Sequence, residues 1–311
     1  MNAEICDPVS ARPNVLLTRR IPSSVLSRLE AACEVDLYEP SGPAELKARL
    51  RGKQGLVSVL LDRVTADVLD GADELKIVAN IAVGYDNIDV AAARSRGIVV
   101  TNTPDVLTEA VAEFTWALIL AAARRVGEGE RLVRSRGWKG WALDFMLGTE
   151  LRGKQLGIIG RGRIGRAVAA KAPAFGMTAA FAKHDMSWDE LLIGSDVISI
   201  HTPLTPQTRH LIDRRALARM KRTAILVNTS RGPVIDEEGL AWALRERLIA
   251  AAALDVYERE PIVHDALLTL ENVVLAPHLG SATRETRTAM IDMAVSNVLA
   301  VLSGKPPLTP V

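Results

Sequence analysis

The hexapeptide Gly160-Arg161-Gly162-Arg163-Ile164-Gly165 restricts this chain more than any other stretch. The apolar run Gln155 to Ile159 before it has the length of a buried strand, and Ile164 to Ala174 after it reads as a helix. Between a strand and a helix, the first glycine permits a tight turn and the second lets backbone approach a pyrophosphate. The third lets the helix close on the strand. The helix N-terminus then offers N–H groups and a partial positive charge to phosphates. A purely structural turn uses the same residues. The strands that follow in register, at Thr178 to Ala182 and Val197 to Ile200, favour a dinucleotide site.

The same alternation of short β-rich runs and helical stretches covers the chain, the mark of stacked βαβ units. Strands are expected at Val15 to Thr18, Leu56 to Leu60, Ile77 to Ala79 and Ile98 to Val100, with helices over Ser24 to Ala31 and Pro43 to Arg51. One long apolar helix is expected from Thr108 to Val126, then an irregular stretch from Gly137 to Gly148. Further strands are expected at Ala224 to Val227, Ala250 to Leu254 and Val273 to Leu275. The segment Thr283 to Leu302 has helical spacing and is expected to return to the first domain. With 311 residues, two domains are the natural division. The expectation is an α/β chain with two doubly wound parallel sheets, Rossmann-like and flavodoxin-like. A dinucleotide-binding domain over residues 107–283 is inserted in a substrate domain made of residues 1–106 and 284–311.

Composition narrows the partners. A formal net charge of +1 gives no electrostatic reason to expect nucleic acid or an anionic membrane. The apolar run Phe114 to Ala123 is too short to span a bilayer, and Met1 to Pro13 lacks the apolar core of a signal peptide. Cys6 and Cys33 have no metal-ligand spacing, so no metal site and no disulfide framework are expected, and a reducing, cytoplasmic setting fits.

A dinucleotide fingerprint wants an acid about 20 residues beyond the loop, where it holds the ribose hydroxyls. Here the sequence reads Ala182-Lys183-His184-Asp185, with Lys183 at the expected place and His184 beside it. Cations there favour a 2′-phosphate, so NADPH is expected over NADH, with Asp185 as the candidate for the opposite preference.

Hydride transfer to a 2-oxo acid needs a cation for the carboxylate, a proton donor for the developing alkoxide, and a group that tunes the donor. Open α/β sheets bind ligands at strand C-terminal ends. Arg231 follows the strand ending at Val227, and its planar fork suits a carboxylate. His278 follows the strand ending at Leu275, and histidine as a residue type can serve as a proton donor. Glu260 follows the strand ending at Leu254, and a carboxylate beside an imidazole favours imidazolium. Asp255, at that strand's edge, could accept from a nicotinamide carboxamide. By position alone, His201 at the end of another strand competes with His278.

These residues sit in motifs that resemble the D-isomer-specific 2-hydroxyacid dehydrogenase family over nearly the whole chain. The motifs are Val83 to Asp89, Asn102 to Ala110, the glycine loop, Pro203 to His210, Asn228 to Asp236, Leu254 to Pro261 and Pro277 to Ala282. Arg136 to Trp141 and Leu147-Gly148-Thr149 are most similar to the glyoxylate/hydroxypyruvate reductases. The mid-chain glycine loop agrees, since L-lactate and malate dehydrogenases place the nucleotide domain first. The resemblance implies that Arg231 orients a small 2-oxo acid, and that Glu260 pairs with His278, the general acid. Backbone N–H groups of Val83 and Gly84, near Leu60, would take the substrate carboxylate. Thr108, Gly160, Gly162, Arg163, Ile164, Gly165, Lys183, His184, Thr202, Pro203, Thr208, Thr229, Ser230, Asp255, His278 and Gly280 would line the cofactor. His201 moves to a place near the adenine. Trp141, on a dimerisation arm of about residues 126–150, would face the active site of a second subunit, which implies a homodimer.

One departure stands out. Between Lys183 and the pair Ser195-Asp196 there are roughly a dozen fewer residues than the family pattern, where a helix and the third strand of the nucleotide half belong. That strand is an edge, so the rest of the sheet is expected to fold, with cofactor affinity weakened. The shortened half also keeps open a second reading, a cofactor-sensing interaction protein like the family's transcriptional corepressors. A relative acting on a phosphorylated acid such as 3-phosphoglycerate is a third, but no extra cationic cluster lies near Leu60 or Val83.

Overall fold

The computed structural model describes residues 12–311, so Cys6 and most of the segment assessed above for a signal peptide lie outside the described residues. The chain divides into two compact units, one made of residues up to Leu107 together with Arg284–Val311, the other of Thr108–Thr283.

The first unit runs β1 (Asn14–Leu17), α1 (Ser23–Glu30), β2 (Glu34–Leu37), α2 (Pro43–Arg49), β3 (Gly55–Ser58), α3 (Ala66–Leu69), β4 (Ile77–Asn80), α4 (Val90–Ser95) and β5 (Val99–Thr101). The strands are all parallel in the order β2-β1-β3-β4-β5, the flavodoxin arrangement. Every residue of β3 and β4 is buried, as strands covered on both faces must be. Leu16, Leu46, Leu56, Val68 and Val78 form the core on one side. The last helix of the chain, Arg284–Leu302, packs on β3 and β4 from the other side and buries Met290, Ala294 and Val298. Arg28 on α1 ties to that helix through Asp292 at 2.7 Å. Strand β2 gave no sequence signal. Its alternation Glu34-Val35-Asp36-Leu37 lies on an edge and no residue in it is buried, so no apolar run marks it.

The second unit runs α5 (Thr108–Ala123), α6 (Val126–Arg134), β6 (Gln155–Ile159), α7 (Arg163–Lys171), β7 (Thr178–Phe181), α8 (Trp188–Gly194), β8 (Val197–Ile200), α9 (Arg214–Arg219), β9 (Ile225–Asn228), α10 (Glu237–Arg245), β10 (Ala251–Leu254), α11 (Asp265–Leu268) and β11 (Val273–Leu275). The final helix Arg284–Leu302, already described, is α12. All six strands are parallel in the order β11-β10-β9-β8-β6-β7. Helix α5 packs against α7, β9 and β10, and Trp116 on it stacks on Phe175 with centroids 4.3 Å apart.

One local expectation changes and one holds. The single helix over Thr108 to Val126 is broken. Arg125 sits in the left-handed region at φ 54°, and its guanidinium pairs with Glu128 across the start of α6. In the shortened segment the third strand is reduced to one bridge between Ala182 and Met186, which leaves β7 at the edge of the sheet. The crossover helix expected before that strand is missing as well, since only Lys183 to Asp185 separate the bridged residues, and α8 comes after Met186. Ser187 and Glu190 close its N-terminus with a reciprocal capping box, which replaces length with well-satisfied end groups.

Candidate active site

The C-terminal ends of β9, β10 and β11 carry the chemistry of the second unit. His278, three residues beyond β11, holds its Nδ1 2.8 Å from Glu260 Oε2. The backbone of His278 is left-handed at φ 56°, a conformation that non-glycine residues adopt only when neighbours enforce it. Asp255, at the end of β10, supplies that enforcement. Its carbonyl accepts from the His278 N–H at 3.0 Å, and its carboxylate accepts from Leu279 N–H at 2.6 Å and Gly280 N–H at 2.8 Å. Burial, relieved in part by those two N–H groups, pushes the Asp255 carboxyl above its usual range. Both of its oxygens therefore already brace the loop that aims the imidazole.

Burial alone would raise the Glu260 carboxyl. The hydrogen bond and charge of His278, the Tyr257 N–H and the charge of Arg231 outweigh it, and the net direction is down. A carboxylate held ionised beside the ring fixes the imidazole's orientation. Because the folded value lies below the ordinary one, Glu260 contributes stability at pH above the usual carboxylate range, and that contribution is lost as pH falls through the depressed value. Glu260→Gln should accordingly flatten the loss of urea stability on acidification below about pH 4. Superimposable pH profiles for variant and parent would contradict this.

Arg231 follows β9 in a loop tied by Asn228, whose side chain accepts from Ser230 N–H and Oγ and donates to the Arg231 carbonyl at 2.9 Å. The next residue cannot carry a side chain. A Cβ on Gly232 would lie 1.8 Å from the Tyr257 carbonyl carbon, so the β9 loop and the Glu260 loop meet backbone to backbone. Two residues that sequence reading missed complete this contact. Glu237 N–H donates to Glu258 Oε1 at 3.0 Å, and Glu258 N–H donates to Glu237 Oε1 at 2.6 Å. The acids heading α10 and the acid two before Glu260 were the available signal. Tyr257 adds a strut from the β10 end to the β11 end, its hydroxyl donating to the Ala276 carbonyl at 2.9 Å.

His201 does not compete as proton donor. Burial pushes its imidazole down to about 3, so it is neutral near physiological pH, and its Nε2 lies 2.8 Å from Ser199 Oγ.

The glycine loop fits a dinucleotide. Gly160 is left-handed at φ 108°, and a Cβ there would lie 2.3 Å from the His201 carbonyl oxygen. A Cβ on Gly165 would lie 2.1 Å from the Gly160 carbonyl oxygen, whereas one on Gly162 would meet nothing within 4 Å. The flanking glycines close helix on strand, and the middle one leaves an open approach to backbone. No side-chain hydrogen bond caps α7, whose first turn holds Arg163 and Ile164, and backbone N–H groups at such a helix start suit an anion. Thr208 Oγ1 donates to the Pro203 carbonyl at 2.7 Å and shapes the loop after β8 that starts at Thr202. Thr229 pairs with Thr115 of α5 at 2.9 Å, and Thr108 opens that helix. Lys183 and His184 lie exposed on the turn after β7, where Lys183 is left-handed at φ 63°. Asp185, the alternative ribose acceptor, has its Oδ2 engaged by the Phe181 N–H at 2.8 Å.

In the first unit, Leu60 lies in the loop after β3, and Val83 and Gly84 in the loop after β4. Asn102 donates to the Val83 carbonyl at 2.8 Å and Asn80 to the Gly84 carbonyl at 3.0 Å. Across a trans peptide the N–H opposes the preceding C=O, so the Gly84 N–H points away from Asn102. Trp141 is 79% exposed, among Val133, Trp138, Leu143 and Leu147, all likewise exposed.

Known proteins resemble this chain in sequence and fold. Residues 116–280 match the family described as D-isomer specific 2-hydroxyacid dehydrogenase, NAD binding domain. A glyoxylate reductase of Aeropyrum pernix is 50% identical over 317 residues, covering 95% of each chain, and one of Korarchaeum cryptofilum is 48% identical over 314 residues, again covering 95% of each. The crystal structure of an NADPH-dependent glyoxylate/hydroxypyruvate reductase from Sinorhizobium meliloti, in complex with NADP and malonate, superimposes with a TM-score of 0.85 at 36% identity, covering 97% of each chain. With a nucleotide loop, a buttressed imidazole and relatives matched nearly end to end, the chain belongs to the D-isomer specific 2-hydroxyacid dehydrogenases.

Proposed function

We propose that this chain reduces a small 2-oxo acid of the glyoxylate and hydroxypyruvate type to the D-2-hydroxy acid, with NADPH as the preferred reductant. The observation that carries the reading is the 2.8 Å contact between His278 and Glu260, with the Arg231 charge acting on the same carboxylate. The bound nicotinamide supplies the hydride that reaches the carbonyl carbon. His278 gives its proton to the carbonyl oxygen as negative charge develops there, and Glu260 steadies the imidazolium that precedes the transfer. The guanidinium of Arg231 orients the acid, and the backbone N–H groups of Val83 and Gly84 take its carboxylate beside Leu60.

Three observations support NADPH. Asp185 is tied to its own strand, Lys183 and His184 are exposed where a ribose phosphate would come, and the Sinorhizobium meliloti relative is NADPH-dependent. The run of exposed large apolar side chains along residues 126–147, Trp141 among them, supports a homodimer built on that arm. A buried free Cys33 suits a cytoplasmic, reducing setting. A non-catalytic, cofactor-sensing role is not favoured, because it has no use for the His278–Glu260 pair.

Rates for glyoxylate, hydroxypyruvate, pyruvate and a bulky 2-oxo acid, each with NADPH and NADH, test the proposal. Glyoxylate and hydroxypyruvate with NADPH should give the highest kcat/KM. A preference for the bulky acid would overturn the substrate assignment, a preference for NADH the cofactor assignment, and no turnover the enzymatic reading itself. Sedimentation of the same sample as a single chain would remove the dimer.

A further inference from the structure

The glycine loop contains a residue that neither the turn geometry nor the catalytic groups require. Arg161 stands between Gly160 and Gly162, exposed, with its carbonyl accepting from Arg166 Nε at 3.1 Å. Its side chain does not follow α7. The guanidinium carbon lies 5.7 Å from the centroid of Phe181, the last residue of β7, so the positive charge leans over the C-terminal end of the edge strand.

What lies beyond Phe181 makes this placement significant. The third strand is absent except for the Ala182–Met186 bridge, so the chain folds back at once through left-handed Lys183. Lys183 and His184 are exposed on that turn, and the acid of the segment is occupied, Asp185 Oδ2 accepting from the Phe181 N–H. The end of β7 therefore presents a guanidinium from the glycine loop and an ammonium from the turn, while the carboxylate that would repel an anion is folded back onto backbone. In a nucleotide fold this is where the adenosine ribose lies. Of the two cations, Arg161 is the better organised. A planar fork resting on an aromatic ring loses less freedom on binding than a lysine on a flexible stem, and it matches phosphate oxygens two at a time.

We propose that Arg161, assisted by Lys183, binds the ribose 2′-phosphate of NADPH and is the residue that sets the cofactor preference. This rests on the NADPH reading above and adds to it a residue from the glycine loop. The loss of the third strand is what leaves the phosphate open to Arg161, and the loop cation takes over recognition from the missing wall.

Two measurements test the assignment. The first is the ratio of kcat/KM for NADPH to that for NADH, in the parent, Arg161→Gln and Arg161→Lys. Losing a charge-assisted pair to phosphate should lower this ratio about tenfold or more in Arg161→Gln, and less in Arg161→Lys. The second is calorimetric binding of adenosine carrying both 2′- and 5′-phosphates against adenosine 5′-phosphate, which needs no turnover. Arg161→Gln should weaken the doubly phosphorylated probe and narrow its advantage over the other by a similar factor. A parent that prefers NADH would remove the NADPH reading and this inference with it. A parent that prefers NADPH, with a ratio unchanged in Arg161→Gln, would overturn only the role of Arg161. Equal losses for both cofactors and both probes would make Arg161 a pyrophosphate or folding residue and overturn it as well.

Discussion

His278→Gln should reduce the rate of 2-oxo acid reduction by about two to four orders of magnitude, the usual contribution of a positioned general acid. The glutamine amide has the reach of Nε2 rather than Nδ1, so the variant keeps a polar group at the far end of the side chain and gives up the 2.8 Å contact to Glu260 Oε2. It has no titratable proton to give to an alkoxide. The loss should therefore fall on kcat, with cofactor binding retained, because the glycine loop and α7 lie on β6 and not on β11. Fluorescence titration of NADPH against the variant measures the second half of that statement. A variant within threefold of parental kcat would end the assignment of His278, as would a variant that had lost the cofactor along with the rate.

The largest expected effect on stability comes from adding a single methyl group. In Gly232→Ala the new carbon would lie 1.8 Å from the Tyr257 carbonyl carbon, 1.9 Å from its oxygen and 2.5 Å from Glu258 N. All three are backbone atoms, so no side-chain rotation can relieve the clash. One of the two loops must move, and the one on the far side carries Glu260. Overpacking of this kind should cost about 3 kcal/mol or more, at the upper end of what single substitutions do. The reciprocal Glu237–Glu258 contacts, at 3.0 and 2.6 Å, would open with it. Urea denaturation should show a clearly lowered midpoint, and the folded variant should show reduced kcat from a displaced Glu260. A midpoint equal to that of the parent would mean that the two loops are not in contact as described.

Most of the scaffold could be read in advance because it obeys short-range rules. Strands β3, β4, β6, β8 and β9 are short, largely apolar and almost wholly buried, and the glycine loop falls between a strand and a helix. What stayed hidden depends on neighbours distant in sequence. Strand β2 is an exposed edge whose only reason to be extended is its pairing with β1. The break at Arg125 rests on a left-handed residue and an ion pair to Glu128, neither of which disturbs hydrophobic periodicity. Residue types at strand ends pointed to Arg231, Glu260 and His278 individually, yet His201 met the same criteria. Only the burial of His201 and the carboxylate beside His278 separate them. The bracing by Asp255 was less accessible still, because it acts through the backbone of Leu279 and Gly280 and leaves no residue-type signature at the receiving end.

The truncated side of the nucleotide sheet has a consequence for how crowded copies of this protein behave. An unpaired strand margin is a template on which a second molecule can lay its own chain. Here the carboxylate of Asp185 occupies the Phe181 N–H, the amides of Asp185 and His184 reach the Phe181 carbonyl, and Met186 takes the Lys183 N–H. The tight fold-back that replaces the lost strand thus seals the last rung against intruders. The end of the strand that the deletion exposes is occupied by the chain's own turn.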